Sequence, residues 1–293
     1  MYKKITKENI GQYFADFSKE IKKEFGRKAS IDVVIVGGAS ILLNYSFRDT
    51  TTDVDGYFSS FSSLKGAIEK VAEKNNLPPE WLNNDFTKTA SFSNKLIQHS
   101  KFYKTYNQVL NVRTVQDEYL IAMKIMSGRD YKNDISDVIG VLQENNSKKN
   151  KLEWKHVEKA IIDLYDTTEK IKPEKLEYFK KICEVKDVEI FEELYEKVKK
   201  YEMNNKLLLE DFEKKYQDVL NDKNVEKILS YRQEESLDDI FYVLEQIDNN
   251  KEARVRQPGL IKSAYEHTLE KLKDVLPDDE TDNIYKDYDG PNF

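Results

Sequence analysis

Asp53 and Asp55 are the residues of this 293-residue chain whose type and spacing best suit chemistry. They lie two apart in a run of β character, Thr51 to Phe58, so on a strand both carboxylates project from one face while Val54 turns inward. Two oxygen donors side by side are what hard Mg²⁺ accepts, leaving its other positions to water and phosphate oxygens. Upstream, Ile31 to Val36 is a compact β-branched run ended by Gly37 and Gly38, and Ala39 to Leu43 continues as an apolar helical stretch. A glycine turn of this kind lets the backbone pass close to a phosphate, and the helix start offers N–H groups and a partial positive charge. Ser40 could add a hydroxyl. An Asp-x-Asp pair or a Gly-Gly turn is common when taken singly. Joined in one strand-turn-helix-strand unit, they bring a phosphate cradle and a cation site to adjacent strand ends.

Other named motifs fail on residues. A dinucleotide fingerprint needs a third glycine opening the helix, and Ile41 and Leu42 stand there. A calcium loop with Gly56 sixth puts Thr51 at the first ligand position and Ser62 where the bidentate Glu belongs. His99, His156 and His267 have no metal-ligand spacing, and Cys183 is the only cysteine, which excludes an intramolecular disulfide and a thiolate cluster.

The elements that must position these residues follow from periodicity. Apolar residues at Ile10, Tyr13, Phe14, Phe17, Ile21 and Phe25 recur near the helical period and predict an opening amphipathic helix. A helix capped by Ser62 or Ser63 carries Leu64, Ile68 and Val71 on one face, and Lys101 to Val115 reads as one or two strands. Asp117 opens a helix carrying Tyr119, Leu120, Met123, Lys124 and Met126, which Gly128 ends, and Asp134 to Gln143 forms another. Lys124 lies among apolar neighbours, so its ammonium either snorkels to water or aims into a cleft. Asp134 and Asp137, three apart, share a helix face, where they could approach it or simply cap and solvate the helix. The polar run from Glu144 to Asn150 is the best domain boundary, with helix almost throughout beyond it. The predicted organisation is residues 1–146, then a helical domain at 147–276, then an acidic tail at 277–293.

A net charge of −7 disfavours a surface that attracts nucleic acid everywhere. Its distribution is uneven: from Phe86 to Gln116 there is no Asp or Glu, while Lys88, Lys95, Lys101, Lys104 and Arg113 all fall there. This segment is either a solvated basic strand edge or an anion-facing surface. No apolar run is long enough to span a bilayer and the first ten residues lack a signal-peptide pattern, so a cytoplasmic protein without membrane contact is expected.

Val-Gly-Gly-Ala-Ser at Val36 to Ser40, with Thr-Thr-Asp-Val-Asp at Thr51 to Asp55, resembles the glycine turn and Asp-x-Asp signature of the DNA polymerase beta-like nucleotidyltransferase superfamily. Arg48 fits a basic residue that often precedes the signature. Leu120-Ile-Ala-Met-Lys124, Arg129 and Asp134-Ile-Ser-Asp137 are similar to later motifs of the bacterial branch that holds abortive-infection (AbiEii-type) toxins. The resemblance covers about half the chain, from near Asp32 to Leu142.

It implies an α+β fold, a small mixed sheet with helices followed by a mainly helical second half. It implies a metal-dependent nucleotidyltransferase that uses Mg²⁺ or Mn²⁺ and a nucleoside triphosphate. The acceptor would be a hydroxyl of RNA such as tRNA, of a protein or of a small molecule, and an antitoxin-like partner is implied for the toxin branch. Asp53, Asp55 and Asp134 would be catalytic metal ligands and Lys124 a catalytic contact. Gly37, Gly38, Ser40 and Arg48 would hold the nucleotide. Many superfamily members carry the third acid on a later central strand, where the acid-free segment offers none, so the role would pass to Asp134, Asp137 or Asp117. The alternative is a non-catalytic module of the same fold that binds a nucleotide or a partner protein.

Overall fold

The computed structural model describes residues 2–215 except 59 and 186, together with 224, 225, 228 and 229. The chain forms two compact units, one of Met1–Gly128 with Asp137–Phe191, and one of Arg129–Ser136 with the described part of Glu192–Phe293. The first is a sheet with helices. In chain order it contains β1 (Ile5–Thr6), α1 (Ile10–Phe25), β2 (Ile31–Ile35), α2 (Gly37–Asn44), β3 (Thr50–Thr51), β4 (Val54–Tyr57), α3 (Phe61–Asn75), β5 (Leu82–Asn83), β6 (Ser100–Tyr106), β7 (Leu110–Val115) and α4 (Asp117–Ser127). Four more helices follow: α5 (Asp134–Ser147), α6 (Trp154–Tyr165), α7 (Pro173–Glu184) and α8 (Val188–Lys215). The mixed α+β class, a small sheet region and then a helical continuation, is the one expected.

The main sheet runs β5-β4-β2-β7-β6. β4 is antiparallel to β2, β2 parallel to β7, β5 parallel to β4 and β6 antiparallel to β7. β1 and β3 pair separately. One sheet face is buried by α1 and α3: Phe14, Phe17, Ile21, Leu64, Ile68 and Val71 pack with Val33, Ile35, Val54, Leu82 and Val112 in one core. Trp81 is fully buried there, its Nε1 donating to the Ile68 carbonyl at 3.1 Å, with Tyr13, Phe14 and Phe17 around the ring. A buried indole with its N–H satisfied contributes apolar area at no polar cost.

Two elements depart from the pattern read in the sequence. The run from Thr51 to Phe58 is interrupted: Thr51 ends β3, and Asp53 lies outside any strand before β4 begins. The Thr51 hydroxyl donates to the Asp53 carbonyl at 3.0 Å, a local bond that competes with a continuous ladder. At the other end, the polar residues from Glu144 prolong α5 to Ser147. Tertiary partners explain it: Glu144 accepts from Ser46, and the Asn145 amide reaches the Tyr45 hydroxyl at 3.2 Å. The acidic tail expected at 277–293 lies outside the described residues. No helix among the described residues is long and apolar enough to cross a membrane.

Candidate functional site

The turn between β2 and α2 is built as its glycines require. Gly37 has φ +57°, a left-handed conformation costly for residues with a Cβ, and begins a helix whose first turn has no side-chain cap. β4 lies beside it, with the Val36 amide donating to the Asp55 carbonyl at 3.0 Å. The Asp55 carboxylate therefore lies against the glycine turn: a Cβ on Gly37 would stand 3.4 Å from Asp55 Oδ2. Gly38 has a second neighbour. A Cβ there would stand 2.8 Å from Arg48 Nη2 and 2.9 Å from its Cζ, so the guanidinium occupies the space a side chain would fill. A carboxylate and a guanidinium thus flank the first two residues of α2, where the helix dipole and unpaired N–H groups favour anions.

Arg48 is held by its other atoms. Nη1 donates to both carboxylate oxygens of Asp137 on α5, at 2.9 and 2.8 Å, and Nε to the Thr50 carbonyl at 3.3 Å. Nη2 has no acceptor among the described residues and rests over Gly38. Asp137 is almost fully buried and takes a second cation, Lys124 of α4, with Nζ 2.8 Å from Oδ2. Of the two fates open to the Lys124 ammonium, the structure selects the inward one. One buried carboxylate thus faces two cations, Arg48 and Lys124, and fixes both.

The segment carrying Arg48 is seated on one face of α5. Ser46 donates from its N–H and hydroxyl to Glu144 at 2.8 and 2.9 Å, and the Phe47 ring fills the notch at Gly140, where a Cβ would stand 2.6 Å from the ring. Burial works against the Glu144 charge, yet Lys148 and the Ser46 donors together hold its carboxyl below the usual range. These contacts were not evident in the sequence. Their sign was the spacing of Asp137, Gly140 and Glu144, three and four apart on one helical face.

The remaining expected residues are placed as follows. Asp53 is half-buried just before β4 and accepts from the Thr52 hydroxyl at 3.2 Å. Ser40, expected at a phosphate, is fully buried, and its Oγ has no partner among the described residues. Asp134 is fully buried in the second unit, where Arg129 Nε donates to it at 2.9 Å. Asp117 pairs with Lys101 at 2.6 Å. Each acid considered for the third position has a cation of its own. Among the described residues no group of three or more His, Cys, Asp and Glu converges as a metal site. On the strand beside β4, the residue registered with Asp55 is Asn83, an amide, and the next acid along is Asp85, paired with Lys88 at 2.7 Å. Neither was singled out in the sequence, because a two-residue strand leaves no periodic signal.

A family model described as a nucleotidyltransferase of unknown function (DUF6036) matches residues 12–182, more than half of the chain. The chain belongs to that family. The matched stretch of this nucleotidyltransferase family runs from α1 into α7 and contains Gly37, Gly38, Arg48, Asp53, Asp55, Lys124 and Asp137. The chain matches no curated protein and no solved structure.

Proposed function

We propose that the protein transfers a nucleoside monophosphate from a nucleoside triphosphate to an acceptor hydroxyl, using Mg²⁺ or Mn²⁺. The observation that carries this reading is the pairing of Asp55 with Gly37 and of Arg48 with Gly38 at the uncapped start of α2. An acid able to take a cation and a base able to take a phosphate lie on successive residues of one anion-favouring turn. Asp55, against the glycine turn, and Asp53, just before β4, would hold the cation, since Mg²⁺ is commonly bound through one or two carboxylates together with phosphates and water. When bound, it supplies neutralisation of phosphate oxygens and acidification of the attacking hydroxyl.

The chain's own residues supply the rest. Arg48 Nη2 and the amides of α2 orient the triphosphate so that the acceptor oxygen lies in line with the bond that breaks. The acceptor O–P bond forms, the bond from the α-phosphorus to the bridging oxygen breaks, pyrophosphate leaves with that electron pair, and the hydroxyl proton passes to solvent. Arg48 and Lys124, held by Asp137, offset charge building on the leaving group. Within this reading the acceptor is RNA such as a tRNA end, a protein or a small molecule. The protein acts in the cytoplasm, and a neutralising partner follows if it belongs with the toxin branch.

The absence of a three-acid group among the described residues favours a second reading, a module that binds nucleotide without turning it over. Incubation with each labelled nucleoside triphosphate, Mg²⁺, bulk tRNA and cell extract separates the two. Label transferred by the wild type and lost in Asp53→Ala and Asp55→Ala supports transfer. Nucleotide binding without label transfer supports the module.

A further inference from the structure

β6 forms one edge of the main sheet, and no strand among the described residues pairs with its outer side. Its burial departs from that of a strand half-buried on one face. Lys101 is half-buried, and Phe102, Tyr103, Lys104 and Thr105 are all exposed, Phe102 at 60% and Tyr103 at 38%. Aromatic rings in water on consecutive residues forgo burial of large apolar area and mark a contact surface. Phe102 is the register partner of Arg113 on β7, so ring and guanidinium share a sheet face. Arg113 is oriented by Ser100, donating to its hydroxyl and carbonyl at 2.8 and 2.7 Å.

The charge of this hairpin has one sign. Lys104 Nζ lies 5.2 Å from the Tyr106 ring centroid, and Lys101 is balanced by Asp117, which stands outside the hairpin at the start of α4. Neither Lys104 nor Arg113 has a carboxylate partner among the described residues, and their segment, Phe86 to Gln116, contains no acid although the whole chain carries −7. The ladder also slips between Phe102 and Lys104, leaving Tyr103 as the extra residue. A bulge and edge lysines discourage addition of another strand, so a second copy paired edge to edge fits poorly. Two adjacent exposed rings on an edge strand, with Arg113 on the face of Phe102 and Lys104, the register partner of Val112, on the other face, fit a chain of phosphates carrying flat bases that follows the sheet edge.

We propose that β6, with Arg113 of β7, is a binding surface for single-stranded nucleic acid, with Phe102 and Tyr103 stacking bases and Lys104 and Arg113 meeting phosphates. The proposal stands apart from nucleotidyl transfer; if that reading also holds, the strand bound here is the acceptor. The experiment is fluorescence anisotropy of labelled 12-mer oligo(U) and oligo(dT), and of a duplex of the same length, titrated with the full chain without nucleotide or metal. The expected result is binding of at least one single strand in preference to duplex. The double variant Phe102→Ala with Tyr103→Ala should weaken it by about tenfold or more. Lys104→Gln should flatten the salt dependence by a slope of about 0.7. Oligo(U) favoured over oligo(dT) would assign the surface to RNA, and equal binding would assign it to bases and phosphates alone. These side chains are exposed, so unchanged melting temperatures serve as the fold check. Absence of binding, preference for duplex, equal affinity in the double variant, or a wild-type dimer that the double variant dissolves would overturn the proposal.

Discussion

Arg48 and Asp137 are 89 residues apart in the chain, yet a single guanidinium nitrogen of one reaches both carboxylate oxygens of the other, at 2.9 and 2.8 Å. Lys124 approaches the same carboxylate at 2.8 Å, so Asp137 organises two cations rather than offering a free acid.

Asp137→Asn should be among the most damaging polar substitutions in the chain. It takes from Arg48 and Lys124 the carboxylate they share, and removing one partner of a buried pair costs about 3 kcal/mol. Urea unfolding followed by circular dichroism should show the midpoint falling with little change in slope. A variant as stable as the wild type would mean that the pair is solvated.

Gly38→Ala tests the nucleotide contact while leaving Lys124 on Asp137, and alanine itself suits a helix start better than glycine does. The new methyl would stand 2.8 Å from Arg48 Nη2, so the guanidinium must leave its seat. Loss of one charge-assisted contact should weaken triphosphate binding about tenfold. Equilibrium binding of a fluorescent triphosphate analogue measures it, and unaltered affinity would remove Arg48 from the nucleotide site.

Acid stability should depend on Asp16 of α1. Burial opposes its charge, but donors from Lys74, Gln12, Lys19 and Asn75 together prevail and lower its pKa from 3.8 to about 2. A carboxyl more acidic in the folded state stabilises the fold above its unfolded pKa and loses that contribution as pH falls through the folded value. Between pH 4 and pH 2, therefore, about 2 kcal/mol should disappear from the wild type. The same comparison on Asp16→Asn should show lower stability at neutral pH and a flatter curve below pH 4; parallel curves would rule the residue out as the source.

Cys183 on α7 should be inert in the native protein. Burial, with the nearby Glu184 charge, pushes its thiol up to about 12, and only the thiolate is nucleophilic. An aromatic disulfide reagent at pH 8 should react at the rate of global unfolding, becoming fast in denaturant. Rapid native labelling would contradict the burial.

Much of the sheet was legible because its strands advertise themselves. Ile31 to Val36 is β-branched and closed by glycine, and Lys101 to Val115 resolves into β6 and β7 around Asn107 and Gln108, both with positive φ. The approach of Asp55 to the glycine turn was legible for the same reason. What escaped depends on partners distant in sequence. Ser40 reads like any hydroxyl at a helix start, and only packing shows that it is buried. Asp134 and Asp137 share a helix, but one meets Arg129 and the other Arg48 and Lys124, a division that spacing alone does not reveal. Asn83 stands opposite Asp55 on a strand too short to show any pattern.

The run Ser46, Phe47, Arg48 meets Glu144, Gly140 and Asp137 in that order, one residue of the crossing segment to each turn of helix. The crossing is a ruler as well as a tether. Removing one residue from the stretch between α2 and Ser46 would draw the chain forward by a notch and hand Asp49 to the acid that now receives Arg48. Inserting one would present it with a phenyl ring. The crossing therefore fixes its count of residues together with their kinds, because each of the three side chains matches one place on the helix.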